Sequence, residues 1–316
     1  RKKEGVTDSH LIDKAHEEIN RLRKQRKDSA TAAVELKLDT GKNDTPEKKV
    51  TKRRGFMVLG MHRSGTSLLS GLLVTGLGYN VGGPLIGEKF DNEKGFFERV
   101  DAVLQNDEFM NLQRIWWANN VMNYDWSRAL EDKNSGRAKF RYGQTALAFL
   151  NNPDNAPWLQ KDPRMCITIK TWLPMLDSEP AIIFTYRHPM EVAHSLMKRE
   201  ESFTLDHSLR LWLIYNMLGL QNSAGLCRVY SSNDAILADP FHEVQRLSDE
   251  LTSKCGVPAP PNAKLTQEQV DRFVDPSLQH QTKKRFGEEL QVIEEHGDCL
   301  VHELVTDTEV GTPLYE

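Results

Sequence analysis

Between Gly55 and Leu77 three patterns follow one another without a break. Phe56-Met57-Val58-Leu59 is a short all-apolar run of the kind that forms a strand covered on both faces. Gly60 to Gly65 come next, and Ser67 through Leu77 then reads as a helix with Leu68, Leu69, Leu72 and Leu73 facing inward. The pattern returns downstream. Ala181-Ile182-Ile183-Phe184-Thr185-Tyr186 is a second buried strand, running through Arg187-His188-Pro189 into a helix near 190–200. Residues 205–221 are predicted as another helix, leading to a strand at 226–230 and a helix at about 241–254. Strands alternating with helices across tight turns predict an α/β fold with a mainly parallel central sheet. No internal repeat is visible, and 55–316 reads as one domain.

Charge divides the chain at the same place. Residues 1–54 hold 16 Lys/Arg and 10 Asp/Glu, whereas the remaining 262 hold 25 and 35. A basic tail therefore precedes an acidic body that ends in an acidic C-terminal tail. Within the basic segment, Leu11, Ile12, Ala15, Ile19 and Leu22 predict a short amphipathic helix near 9–27. The rest has too little apolar content to fold alone and reads as a stalk or linker. No aromatic residue interleaves with its cations, which argues against a nucleic-acid arm. No apolar run approaches the ~18 residues a membrane span needs. The chain opens Arg1-Lys2-Lys3 without a signal peptide, as a processed or truncated chain would, and an anchor upstream stays open. Asn43-Asp44-Thr45 is a glycosylation sequon, meaningful only in a secreted chain. Cys166, Cys227, Cys255 and Cys299 lie too far apart for a zinc or redox motif, and disulfides and buried thiols both remain open.

Gly60-Met61-His62-Arg63-Ser64-Gly65-Thr66-Ser67 sits where a strand meets a helix N-terminus, and free N–H groups and the helix dipole favour an anion there. Its glycine spacing matches the P-loop G-x-x-x-x-G-K-[ST], so the expected fold is a three-layer P-loop NTPase-like one. Thr66, however, stands where the lysine belongs. That lysine clamps the β- and γ-phosphates of a triphosphate, and the next hydroxyl holds Mg²⁺. Arg63 offers a cation from within the loop instead, pointing to a smaller anionic group bound without a metal. A second anion site is expected at the carboxyl end of the later strand, where Arg187 would act as a fork and Ser195, about two turns into the helix, as a hydroxyl donor.

Together, G-x-x-R-S-G-T-S and R-x-P-x-x-V-x-x-S resemble the sulfotransferase family. Gln160-Lys161-Asp162-Pro163-Arg164 resembles the K-D-P segment of its tyrosylprotein-type and bacterial carbohydrate and small-molecule members. Arg228-Val229-Tyr230 and Leu237-Ala238-Asp239-Pro240 resemble the family's R-Y-E-D-L…P stretch, with Ser231-Ser232 departing from Glu-Asp. The resemblance covers about 56–256. It implies 3′-phosphoadenosine 5′-phosphosulfate as co-substrate and its 3′,5′-bisphosphate as product. Arg63, Ser64, Gly65, Thr66 and Ser67 would hold the 5′-phosphosulfate, Arg187 and Ser195 the 3′-phosphate, and Tyr230 the adenine, with Arg199 helping to hold the nucleotide.

Transfer of a sulfuryl group to an acceptor hydroxyl or amine would then depend on positioning and charge stabilisation, without a metal. Arg63 and Lys161 are the expected stabilisers, and Glu98 of Gly95-Phe96-Phe97-Glu98 the expected base, with Asp91, Glu88 and Asp162 in reserve. An ion pair of Glu98 with Arg99 or Lys94 is the plainer alternative. His62 and His188 are expected to be structural. Trp116, Trp117, Tyr124, Trp126 and Trp158 suit core packing or a substrate wall. A P-loop kinase or nucleotide hydrolase, and a nucleotide-binding scaffold without catalysis, are the competing functions. The acceptor, whether carbohydrate, sterol, peptide or small molecule, is left open, and the compartment is either the Golgi lumen or the cytoplasm.

Overall fold

The computed structural model describes residues 53–87, 95–261 and 264–274, all within the Val50–Glu316 unit of the chain. The helix expected near 9–27, the sequon, Glu88, Asp91, Lys94, Cys299 and the acidic tail lie outside the described residues. Four strands, β1 (Gly55–Leu59), β2 (Trp158–Lys161), β3 (Ala181–Tyr186) and β4 (Arg228–Ser232), form one sheet in the order β2-β1-β3-β4. Every pairing is parallel, with Val58 of β1 opposite both Lys161 and Ile183.

The described helices are α1 (Thr66–Gly71), α2 (Val100–Asn111), α3 (Trp126–Asn134), α4 (Arg141–Leu150), α5 (Met165–Trp172), α6 (Pro189–Arg199), α7 (Leu205–Asn222), α8 (Asn233–Ala238), α9 (Pro240–Ser253) and α10 (Gln267–Phe273). They cover both faces of the sheet, because successive strand side chains point to opposite sides. Met57, Leu59, Ile182 and Phe184 pack with Phe109 of α2, Trp172 of α5 and Tyr215 of α7. Phe56, Val58, Ile183 and Val229 pack instead with Leu69 of α1, Leu247 and Leu251 of α9 and Phe273 of α10. Each such side chain, fully buried, contributes roughly 1.5–3 kcal/mol over leaving it exposed.

The expected α/β architecture is therefore present, with local differences. The helix predicted for 67–77 begins at Thr66 and passes into a π-helical turn at Leu72–Gly76. The strand predicted at 226–230 lies at Arg228–Ser232, where it pairs with Ile182–Tyr186. Ser232 then caps α8 by accepting from the Ala235 N–H, while Ser231 donates its hydroxyl to Glu243 Oε1 at 2.6 Å. Strand β2 was not anticipated. Its four residues, Trp-Leu-Gln-Lys, are all buried, yet Gln160 and Lys161 hide it from an apolar pattern.

Arg53 and Arg54, counted by sequence with the basic segment, are tied to the body. Arg53 Nη1 donates to the Cys255 carbonyl at 2.7 Å, and Arg54 Nη1 donates to the Asn151 carbonyl. The cysteine question resolves into a disulfide between Cys227 and Cys255 and a buried free thiol at Cys166. Among the described residues, no helix is long and apolar enough to cross a membrane.

Candidate active site

All four strands deliver their carboxyl ends to one rim of the sheet. Because β1 is followed by β2 on one side and β3 on the other, the rim above β1 is where the chain order reverses, the usual place for a ligand in such a sheet. The β1–α1 loop turns there. At Gly60 a Cβ would fall 2.3 Å from the Thr185 carbonyl, so only glycine lets the loop leave so close to β3. Gly65, at φ 81°, caps α1, and a Cβ on it would lie 2.4 Å from Asn233 Oδ1 of α8. Thr66, the first residue of α1, is buried. Ser64 is fully buried, and its Oγ meets no hydrogen-bond partner among the described residues. A buried hydroxyl left over inside an N–H-lined loop fits an oxyanion ligand.

Arg63 is held at φ 72°, a left-handed conformation that costs a non-glycine residue roughly 1–2 kcal/mol. Its side chain leaves the loop toward the second motif, where Nε donates to Ser195 Oγ at 2.8 Å. In return, Arg187 Nη1 donates to the Arg63 carbonyl at 3.3 Å. Arg187 Nε donates to Glu191 Oε2 at 2.7 Å, and Trp212 of α7 donates its indole N–H to the Arg187 carbonyl. Two motifs 124 residues apart in sequence are thus joined in one hydrogen-bonded cluster. Glu191 was not singled out by sequence, although an acid four residues after Arg187, just inside the helix, was available as a signal.

Lys161, the last residue of β2, approaches the same loop from the other side. Its Nζ donates to Ser67 Oγ at 3.0 Å, to the Phe96 carbonyl at 3.0 Å and to Glu98 Oε1 at 2.7 Å. Three acceptors meet the three donors of an ammonium. Lys161 and Glu98 are both buried, and burial lifts the Glu98 carboxyl above the usual range more than the lysine charge lowers it. The pairing of Glu98 with Arg99 gives way to Lys161, since the Arg99 guanidinium is taken by Asp101 at 2.6 Å, while Lys94 lies outside the described residues. Phe97, at φ 57°, stacks on Phe273 of α10 and so braces the segment that carries Glu98.

The other named residues divide by surroundings. Asp162 is wholly buried, accepting from Asn106 Nδ2 and from Arg164, while Asn106 also accepts from Thr168 and the Trp172 indole. That network fixes the start of α5 and makes Asp162 a poor reserve base. Arg199 lies over the Trp117 ring at 5.2 Å and beside Glu200. Tyr230 sits in the core, its ring edge-on to Phe184. His62 packs against Trp117 with its ring tilted and against Tyr215 edge-on. Burial first, then Arg164, Arg199, Lys161 and Arg63, hold its imidazole well below the ordinary histidine range. Trp158 and Trp117 are core residues, and Tyr124 bonds Thr171, whereas Trp116 and Trp126 are exposed.

No protein-family model and no curated protein matches the chain. Solved structures do. The sulfotransferase domain from the curacin biosynthetic pathway is similar at 15% identity and a TM-score of 0.39, over 78% of this chain and 98% of that one. The sulfotransferase domain from the Synechococcus PCC 7002 olefin synthase is similar at 15% identity and 0.38, over 74% and 92%. This chain is similar to sulfotransferases. Retinol dehydratase, solved in complex with androsterone and the inactive cofactor PAP, is similar at 13% identity and 0.36, over 84% and 83%.

Proposed function

We propose that this chain is a sulfotransferase that moves the sulfuryl group of 3′-phosphoadenosine 5′-phosphosulfate to an acceptor hydroxyl or amine. The observation that carries this is the Arg63–Ser195 hydrogen bond, which makes one anion-binding rim out of two separate strand–helix turns. A single phosphate needs only one such turn, and a nucleotide phosphorylated at both ends of its ribose needs two. Arg63 with the loop N–H groups and the unmet Ser64 hydroxyl would hold the 5′ end, and Arg187 with Ser195 the 3′ end. When bound, the donor would supply a mixed phosphoric–sulfuric anhydride, whose bridging S–O bond breaks as the acceptor oxygen or nitrogen bonds the sulfur. Around it, Lys161 and Arg63 neutralise charge on the departing oxygen, and Glu98 takes the proton of the acceptor.

The position of Lys161 supports this reading over a kinase or nucleotide hydrolase. In a triphosphate P-loop the hydroxyl equivalent to Ser67 binds Mg²⁺. Here that oxygen accepts from the Lys161 ammonium, so the cation at this point of the loop comes from β2. A non-catalytic scaffold is disfavoured by the presence of Arg63, Lys161, Arg187 and Ser195 together. We place the protein in an oxidising lumen, the Golgi being the candidate, with the Cys227–Cys255 disulfide in support.

Radiolabelled donor offered with panels of carbohydrate, sterol, peptide and small-molecule acceptors tests the activity. Transfer that persists in EDTA is expected. In Arg187→Ala, binding of adenosine 3′,5′-bisphosphate should weaken by ~1.5–3 kcal/mol, the worth of a charged hydrogen bond. ATP binding dependent on Mg²⁺, with none for the bisphosphate, would transfer the assignment to the kinase class.

A further inference from the structure

Glu191 is a buried carboxylate placed beside a site that collects cations. It is 5% exposed and occupies the third position of α6, where the helix N-terminus favours a negative charge. Its Oε2 accepts at 2.7 Å from the Nε of Arg187, which lies two residues before the helix. The same guanidinium donates through Nη1 to the Arg63 carbonyl of the phosphate loop. Two edges of one rigid plane are therefore fixed by two different elements, while Trp212 holds the Arg187 main chain. An acid here lowers the net charge of an anion site by one. The compensating effect is orientation: a guanidinium gripped at Nε has its plane set before a ligand arrives.

We propose that Glu191 is the positioning residue that aims Arg187 at a 3′-phosphate, so that it sets the discrimination between adenosine 3′,5′-bisphosphate and adenosine 5′-monophosphate. This rests on the sulfotransferase assignment above. Both nucleotides present the same 5′ end to the Arg63 loop, and only the bisphosphate engages Arg187. Loss of the aim should therefore weaken one ligand and spare the other.

Isothermal titration of the full chain with each nucleotide is the test, on wild type, Glu191→Gln, Glu191→Asp, Arg187→Ala and the Glu191→Gln/Arg187→Ala double variant. Glu191→Gln is expected to weaken the bisphosphate about tenfold or more and to leave the monophosphate within about twofold. Glu191→Asp, which keeps the charge, should restore part of the loss. In the Arg187→Ala background Glu191→Gln should have no further effect, because the two act as a unit. Equal weakening of both nucleotides, or additive losses in the double variant, would overturn the proposal and leave Glu191 a structural helix residue. Should Glu191→Gln fail to fold, an unchanged nucleotide ratio in Glu191→Asp overturns it as well. A wild-type chain that does not prefer the bisphosphate at all would instead strike the sulfotransferase assignment itself.

Discussion

Removing the Cys227–Cys255 bridge offers a quantitative test of how the β4 side of the site is held. The bond joins the residue before β4 to the turn that follows α9 and closes a loop with a sequence separation of 28. That loop carries Tyr230, the Ser232 cap and Asn233, whose side chain abuts Gly65 of the phosphate loop. Chain-entropy theory gives about 3.6 kcal/mol at 25 °C for a closed loop of this size. For a domain in this size range, ~2–4 °C per kcal/mol converts that to a fall in Tm of about 7–14 °C. Cys255 is fully buried, so Cys227→Ala/Cys255→Ala is preferable to serine, which would bury a hydroxyl without a partner. Calorimetric melts of wild type and variant, each with and without a thiol reductant, supply the four values needed. Reductant should lower the wild-type transition to that of the variant and leave the variant unmoved. A variant that melts within ~2 °C of oxidised wild type would refute the entropic argument. Alkylation of both thiols under non-reducing conditions would refute the bridge and the oxidising compartment together.

Two pH effects follow from buried groups at the rim. If Glu98 is the base proposed above it must be deprotonated, and burial raises its carboxyl, so activity is expected to be lost as pH falls through a value above the ordinary carboxylate range. The acid limb of kcat/KM should sit there and disappear, with turnover, in Glu98→Gln; a normal limb in that variant moves the base elsewhere. His62 has its folded pKa depressed, so the unfolded chain takes up a proton near pH 6.5 that the native chain refuses. Stability should then fall as pH drops below about 6.5, by up to ~1.4 kcal/mol per pH unit, until the native imidazole also titrates. Denaturant melts between pH 7.5 and 5.5 should show this slope, and His62→Gln should remove one proton's share of it. An identical slope in the variant would contradict burial as the cause.

Strands β1 and β3 were legible because each is apolar on both faces, and a strand between two helical layers has no polar face to show. The tight turn from β1 into α1 was legible too, because Gly60 and Gly65 mark it directly after such a strand. Strand β2 was not, because Gln160 and Lys161 are buried polar residues that the pattern assigns to a surface. Its burial depends on partners outside the segment, namely Ser67, the Phe96 carbonyl and Glu98. Glu98 was identified as a candidate, but the lysine it pairs with, 63 positions away, is set by sheet order and by no local spacing. Likewise Asp162, a plausible carboxylate by sequence, is absorbed by Asn106 and Arg164.

Residue order alone determined that strands and helices alternate, that Thr66 stands where a P-loop has its lysine, and that a second arginine–serine turn exists. Periodicity and turn chemistry act over a few residues, so those features are local and could be read locally. Only the tertiary structure decided which cations meet. Parallel pairing of β1 with both β2 and β3 brings Lys161 and Ser195 to opposite sides of one loop, and the left-handed turn at Arg63 chooses the Ser195 side. Which charges neutralise one another is a property of distance in space, and the fold sets that distance.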